Sequence, residues 1–121
     1  MKKQPVLFLF LFTALSAVLL ANRTAVALAG PVSVAAGTEV TITIQVTHSA
    51  NTATHYTNWV SVKADGKEIA RWDFSASHLP ENENFSRTVK YTVSKPVEIV
   101  AQGNCVRHGS RGPAVLKIGL N

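Results

Sequence analysis

Four histidines and one cysteine are the side chains of this 121-residue sequence best suited to chemistry, and all but one of them fall into two short stretches. His48 and His55 bracket the polar run Thr47-His48-Ser49-Ala50-Asn51-Thr52-Ala53-Thr54-His55-Tyr56. Far along the chain, Asn104-Cys105-Val106-Arg107-His108-Gly109 places the lone cysteine beside another histidine. A thiolate sulfur with several imidazole nitrogens is a soft-to-borderline donor set. It suits iron, copper or zinc, and not the oxygen-seeking calcium or magnesium. Each residue also has a plainer reading, the histidines as polar loop residues and Cys105 as a small buried apolar side chain. The remaining histidine, His78, stands in Ser77-His78-Leu79-Pro80 and reads as a solvated loop residue, with compensating ligation as its alternative. The sequence offers no Ser-His-Asp set, phosphate-cradling glycine motif or paired-carboxylate site as a competitor.

Two loops so far apart in sequence can share a metal only if a framework brings them together, and strands supply it. Val40, Ile42, Ile44 and Val46 alternate with Thr41, Thr43, Gln45 and Thr47, the period-2 pattern of a half-buried strand over Glu39 to Thr47. His48 follows at its end, where the ladder fixes the backbone and the loop leaves room for an ion. Trp59 to Ala64 and Lys67 to Phe74 read as a hairpin joined by Asp65-Gly66, a turn that needs positive φ at both central residues. Phe85 to Val93 alternates again, Pro96 to Ala101 and Ala114 to Leu120 supply two more strands, and Pro31 to Ala35 a short extended piece. Gln102 to Pro113 reads as a Gly-rich loop carrying Cys105 and His108. No convincing helix follows residue 30, and six or seven short strands predict an all-β fold, an immunoglobulin-like antiparallel β-sandwich of about seven strands. Trp59 and Trp72 read as packing residues of this sandwich.

Composition narrows the setting. Lys2 and Lys3 precede an apolar run from Pro5 to Leu20, and Ala25-Val26-Ala27-Leu28-Ala29 has the small residues a signal peptidase reads. The expectation is a secretory signal peptide over residues 1–29, cut after Ala29, with one domain over 30–121 in the periplasm or outside the cell. An uncleaved membrane anchor is the alternative. Without the leader, nine Lys and Arg face seven Asp and Glu, so the formal charge is +2 and not the +5 of the whole chain. Nothing resembles the basic stripe or stacking aromatics of a nucleic-acid binder, so no nucleic-acid partner is expected. A single cysteine in an exported chain has no intramolecular partner, and metal ligation would justify keeping it. A homo-oligomer is left open.

Taken together, these pieces resemble the iron-binding domain of the desulfoferrodoxin and neelaredoxin family, the superoxide reductases. The resemblance rests on His48 to His55 followed by Tyr56 and Trp59, on Ala64-Asp65-Gly66-Lys67, and on Asn104-Cys105-x-x-His108-Gly109, across residues 38 to 119. It implies a mononuclear non-haem iron (Fe2+/Fe3+) held by histidine nitrogens in a plane and one axial thiolate, with one position open. On this sequence His48, His55 and His108 would be the equatorial ligands and Cys105 the axial one, with Cys105 and His108 closest to catalysis. The implied reaction is one-electron reduction of superoxide to hydrogen peroxide, with an external one-electron donor protein restoring the iron. Three departures stand out. Residues 30 to 47 lack the family's further histidine and its neighbouring lysine, one extra residue separates His48 from His55, and Ser110-Arg111-Gly112 replaces an expected aromatic. Arg107 and Arg111 read as plain surface charge, with steering of an anion in the lysine's place as the alternative. The second reading is a non-enzymatic exported module binding iron or copper, and the third an interaction domain with an incidental cysteine.

Overall fold

A computed structural model describes residues 22–121. Most of the expected leader, residues 1–21, lies outside the described residues. Eight strands form two sheets, and the described residues contain no helix. The strands are β1 (Ala25–Ala29), β2 (Ser33–Val34), β3 (Thr38–Thr47), β4 (Thr57–Ala64), β5 (Lys67–Asp73), β6 (Phe85–Val93), β7 (Val97–Cys105) and β8 (Ala114–Leu120). One sheet runs β1-β3-β6 and the other β2-β8-β7-β4-β5. All pairings are antiparallel except the short β2–β8 contact.

The alternation read from the sequence decides which faces meet. Val40, Ile42, Ile44 and Val46 of β3 are buried together with Phe85 and Val93 of β6. Opposite them lie Val60, Val62 and Ala64 of β4, Val97, Ile99 and Ala101 of β7, and Ile118 of β8. Burying side chains of this size is worth roughly 1.5–3 kcal/mol each against leaving them in water, which makes this seam the main source of the fold's stability. Trp72 packs against the same core, and Trp59 lies beneath the Arg71 guanidinium at 5.1 Å. The β4–β5 hairpin closes at Asp65-Gly66 with φ of 47° and 83°, the two positive values a tight primed turn demands.

Two elements differ from the sequence reading. Cys105 is the last residue of β7 and not part of a loop beginning at Gln102. Gly103 looks like loop punctuation in the sequence, yet it sits within the strand because another segment crosses it closely. A Cβ there would lie 2.7 Å from Thr24 Cγ2 and 3.2 Å from Val26 Cγ1. That crossing segment is the second difference. Ala25–Ala29, assigned with the leader in the sequence reading, forms β1, pairs along β3 from Thr47 to Thr43, and sets Val26 and Leu28 against the core. Thr24 just before it is fully buried, its hydroxyl 2.9 Å from that of Thr57.

Candidate metal centre

β3 ends at Thr47 and delivers His48, 4% exposed, into the first loop. Its backbone N–H donates to Asn84 Oδ1 at 3.1 Å, and Asn51 Nδ2 donates to the Pro80 carbonyl at 2.7 Å. The loop from residues 75 to 84 therefore braces this loop from outside. His55 is fixed by a reciprocal backbone pair with Thr52, at 2.9 Å and 3.1 Å. Four residues suffice for that tight turn, which carries the imidazole back toward His48. The two rings meet edge to face with centroids 4.9 Å apart.

Cys105 arrives from the other sheet at the end of β7, where the β4–β7 register slips between Thr57 and Trp59. A bulge of this kind bends the strand end and re-aims its side chains. The chain then closes on itself: Cys105 and Gly109 exchange backbone hydrogen bonds, each 2.9 Å, and the Val106 N–H donates to the Tyr56 carbonyl at 3.0 Å. Gly109 has φ of 79°, a conformation a side chain would strain. The turn holds the Cys105 thiol inside, 1% exposed, and brings His108 back over it.

The two loops converge. His55 Nε2 and His108 Nδ1 are 3.2 Å apart, and Cys105 Sγ is 3.8 Å from the same His108 nitrogen. Donor atoms of His48, His55 and Cys105 all lie within 4.8 Å of one another. Metal–nitrogen and metal–sulfur bonds of roughly 2.0–2.3 Å put neighbouring donors about 3 Å apart and opposite ones somewhat over 4 Å. These spacings fit that range. His48 Nε2 lies 3.1 Å from the Asn22 carbonyl, and its Nδ1 is buried with no partner among the described residues.

Electrostatics push the same way. His55 is held below the ordinary histidine pKa, first by loss of solvent and then by the neighbouring imidazoles of His48 and His108 and by Arg107, with the Asn22 carbonyl opposing them. A neutral imidazole is the form that binds metal. Beside His48 lies a cavity of about 230 Å³ lined by Arg23, Thr47, His48, Ser49, Asn84 and Arg111. Among the described residues, the arginines within 4.0 Å of a carboxylate are Arg71 and Arg87, and not Arg23, Arg107 or Arg111 around the site.

Of the residues singled out in the sequence, the fold gathers His48, His55, Cys105 and His108. It keeps His78 elsewhere, exposed in a Ser75–His78 turn with Nδ1 3.2 Å from Ser77 Oγ. Sequence reasoning missed Asn22, Arg23 and Thr24. Their polar types carry no ligand signature, and the residues after them match a peptidase motif.

A search of curated proteins found no match to this chain. Among solved structures, a variant of the superoxide reductase (neelaredoxin) from Ignicoccus hospitalis superposes with TM-score 0.68 at 19% identity, over 84% of this chain and 83% of that one. A candidate superoxide reductase from Thermotoga maritima gives 0.61 at 22%, over 80% and 86%. A CARDB domain from Pyrococcus furiosus, solved with di-metal ions, gives 0.60 at 16%, over 81% and 87%. At such identities these likenesses establish a shared β-fold. The desulfoferrodoxin family model, in contrast, matches the sequence itself over residues 27–110, a span that begins inside β1 and takes in both converging loops, and the chain therefore belongs to the desulfoferrodoxin family.

Proposed function

We propose that this chain is a superoxide-reductase-like non-haem iron protein that reduces superoxide to hydrogen peroxide by one electron. The observation that carries the reading is the convergence of one buried thiol and imidazoles from two loops 50 residues apart in sequence, Cys105 on His108 and His108 on His55. His48, His55 and His108 would hold iron through nitrogen and Cys105 through sulfur. Iron so bound supplies the single electron and a place for the substrate, and a one-electron donor protein of unknown identity restores it. The rest is the work of the chain. Burial of Cys105 keeps its sulfur from solvent oxidation, and the Cys105–Gly109 turn fixes its distance to His108. The depressed basicity of His55 keeps its nitrogen free of a competing proton at neutral pH. Arg23, Arg107 and Arg111, all exposed near the site, raise the local concentration of a small anion.

Anaerobic Fe(II) loading of the exported protein, followed by oxidation, tests this directly. A thiolate-to-Fe(III) charge-transfer band that disappears in Cys105→Ser is expected, together with rapid second-order loss of superoxide. Stoichiometric iron with no band, or a band unchanged in the variant, would remove Cys105 from the site. The second reading is a non-enzymatic exported module for iron or copper. It is favoured by one observation: with His78 held apart, the group whose donor atoms lie within 4.8 Å of one another is His48, His55 and Cys105, and His108 joins it only through His55 and Cys105, fewer histidines than the family resemblance implies. Tight metal binding with no superoxide turnover would select it. Export to the periplasm or beyond the cell belongs to the same proposal and rests on Lys2, Lys3 and the apolar run after them.

A further inference from the structure

The segment Asn22–Thr24 is tied to both halves of the site. Toward the first loop, the Asn22 carbonyl lies 3.1 Å from His48 Nε2 and favours the protonated form of His55, and Ser49 Oγ donates to Asn22 Oδ1 at 3.2 Å. Toward the second, the Arg111 N–H donates to the Thr24 carbonyl at 2.8 Å and the Thr24 N–H to the Gly109 carbonyl at 3.3 Å. The chain has made room for it, because Gly103 is the residue that lets Thr24 and Val26 approach. The Asn22 carbonyl thus lies against the two imidazoles, His48 and His55, that the metal-centre reading assigns as ligands.

The residue before it is Ala21, which follows the apolar run from Pro5 to Leu20 and supplies the small residue a signal peptidase takes directly before its cut, with Leu19 standing where the A-x-A pattern has its other small residue. A cut after Ala29 would discard Thr24, Val26 and Leu28 and leave β3 an open edge. A cut after Ala21 keeps every described strand. We propose that export processing ends at Ala21 and that the α-amine of Asn22 so released, with the carbonyl oxygen of the same residue, serves the metal as the donor that the shortage of histidines leaves to be found. An α-amine and its own carbonyl close a five-membered chelate ring, whereas the nitrogen of an internal peptide bond ligates only after losing its amide proton. Processing would then complete the site only outside the cytoplasm. The inference rests on the metal-centre reading above.

Its test uses the exported protein and Co(II) as the probe. N-terminal sequencing should read Asn-Arg-Thr-Ala; a chain that starts at Gly30 or later, or that keeps its leader, overturns the proposal. Metal-free protein is then acetylated near neutral pH with and without Co(II), and the N-terminal peptide followed by mass spectrometry. Bound Co(II) should slow acetylation of Asn22, and the acetylated protein should bind Co(II) about tenfold or more weakly, the scale on which altering a metal's surroundings costs affinity. A fraction acetylated only on lysines is the control. Equal labelling rates and equal affinities overturn the inference. If Cys105→Ser shifts the Co(II) spectrum while acetylation changes nothing, the inference alone falls; if the untreated protein takes up no Co(II), the metal-centre reading falls with it.

Discussion

His55 is the residue at which the site's pH behaviour is set. Its folded pKa lies below that of a free histidine, because the ring has lost solvent and stands between two other imidazoles. At mildly acid pH the unfolded chain therefore binds more protons than the folded one, so stability rises with pH there. The contribution is fully present above the ordinary histidine value and is lost as pH falls through the folded one. Thermal unfolding of the metal-free protein across this range should show wild type losing stability on acidification, and His55→Gln losing less of it. Parallel curves would mean that His55 does not titrate differently in the fold. Metal affinity should fall in the same direction, since protons compete for the same nitrogens. Gly103 makes a separate prediction at the same scale. A side chain there meets Thr24 Cγ2 at 2.7 Å, so Gly103→Ala should cost about 1–3 kcal/mol in denaturant titration by overpacking.

Between elements, the two loops carry their ligands differently. His48 and Cys105 sit at strand ends, where β3 and β7 fix them, and His55 and His108 stand on short turns folded back over those ends. The turns are the weaker part. Gly109 has open space around a notional Cβ, with Asn104 Oδ1 the nearest atom at 3.8 Å, so Gly109→Ala tests backbone strain alone. Its positive φ predicts a cost of about 1–2 kcal/mol, and displacement of His108 predicts weaker metal binding than that small loss would suggest. Metal titration beside denaturant unfolding separates the two effects. Outside the site, Arg87 pins Glu81 with paired contacts of 2.8 Å and 2.9 Å and holds its carboxyl down to about 2. That clamp ties β6 to the loop whose Pro80 and Asn84 brace the His48 loop, so it should hold until strongly acid pH.

For the molecule as a whole, charge around the site is one-sided. Arg23, Arg107 and Arg111 lie near the imidazoles, while the ion pairs among the described residues occupy Arg71 and Arg87. If the rim steers superoxide, Arg23→Gln and Arg111→Gln should each slow its second-order reaction and flatten the dependence on ionic strength, because exposed charges act only within a screening length of about 10 Å at moderate salt. An unchanged salt profile would assign these arginines to solubility.

Much of this could be read from the sequence because it depends on near neighbours. Alternation in β3 and β6, the Asp65-Gly66 turn, the donor types of His48, His55, Cys105 and His108, and the resemblance they carry all follow from residues a few positions apart. What only the tertiary structure decided involves residues far apart. Ala25–Ala29 has the composition of a processing motif and becomes a strand because the edge of β3 and the notch at Gly103 receive it. Gln102 to Cys105 has the composition of a loop and becomes strand because β4 pairs with it, which puts the thiol inside. Asn22 has no ligand signature at all, and reaches two histidines only because Thr24 is locked between Thr57 and Gly109. A local pattern states what a segment can form, and burial against a distant partner selects among those states, since most of the free energy lies in that contact.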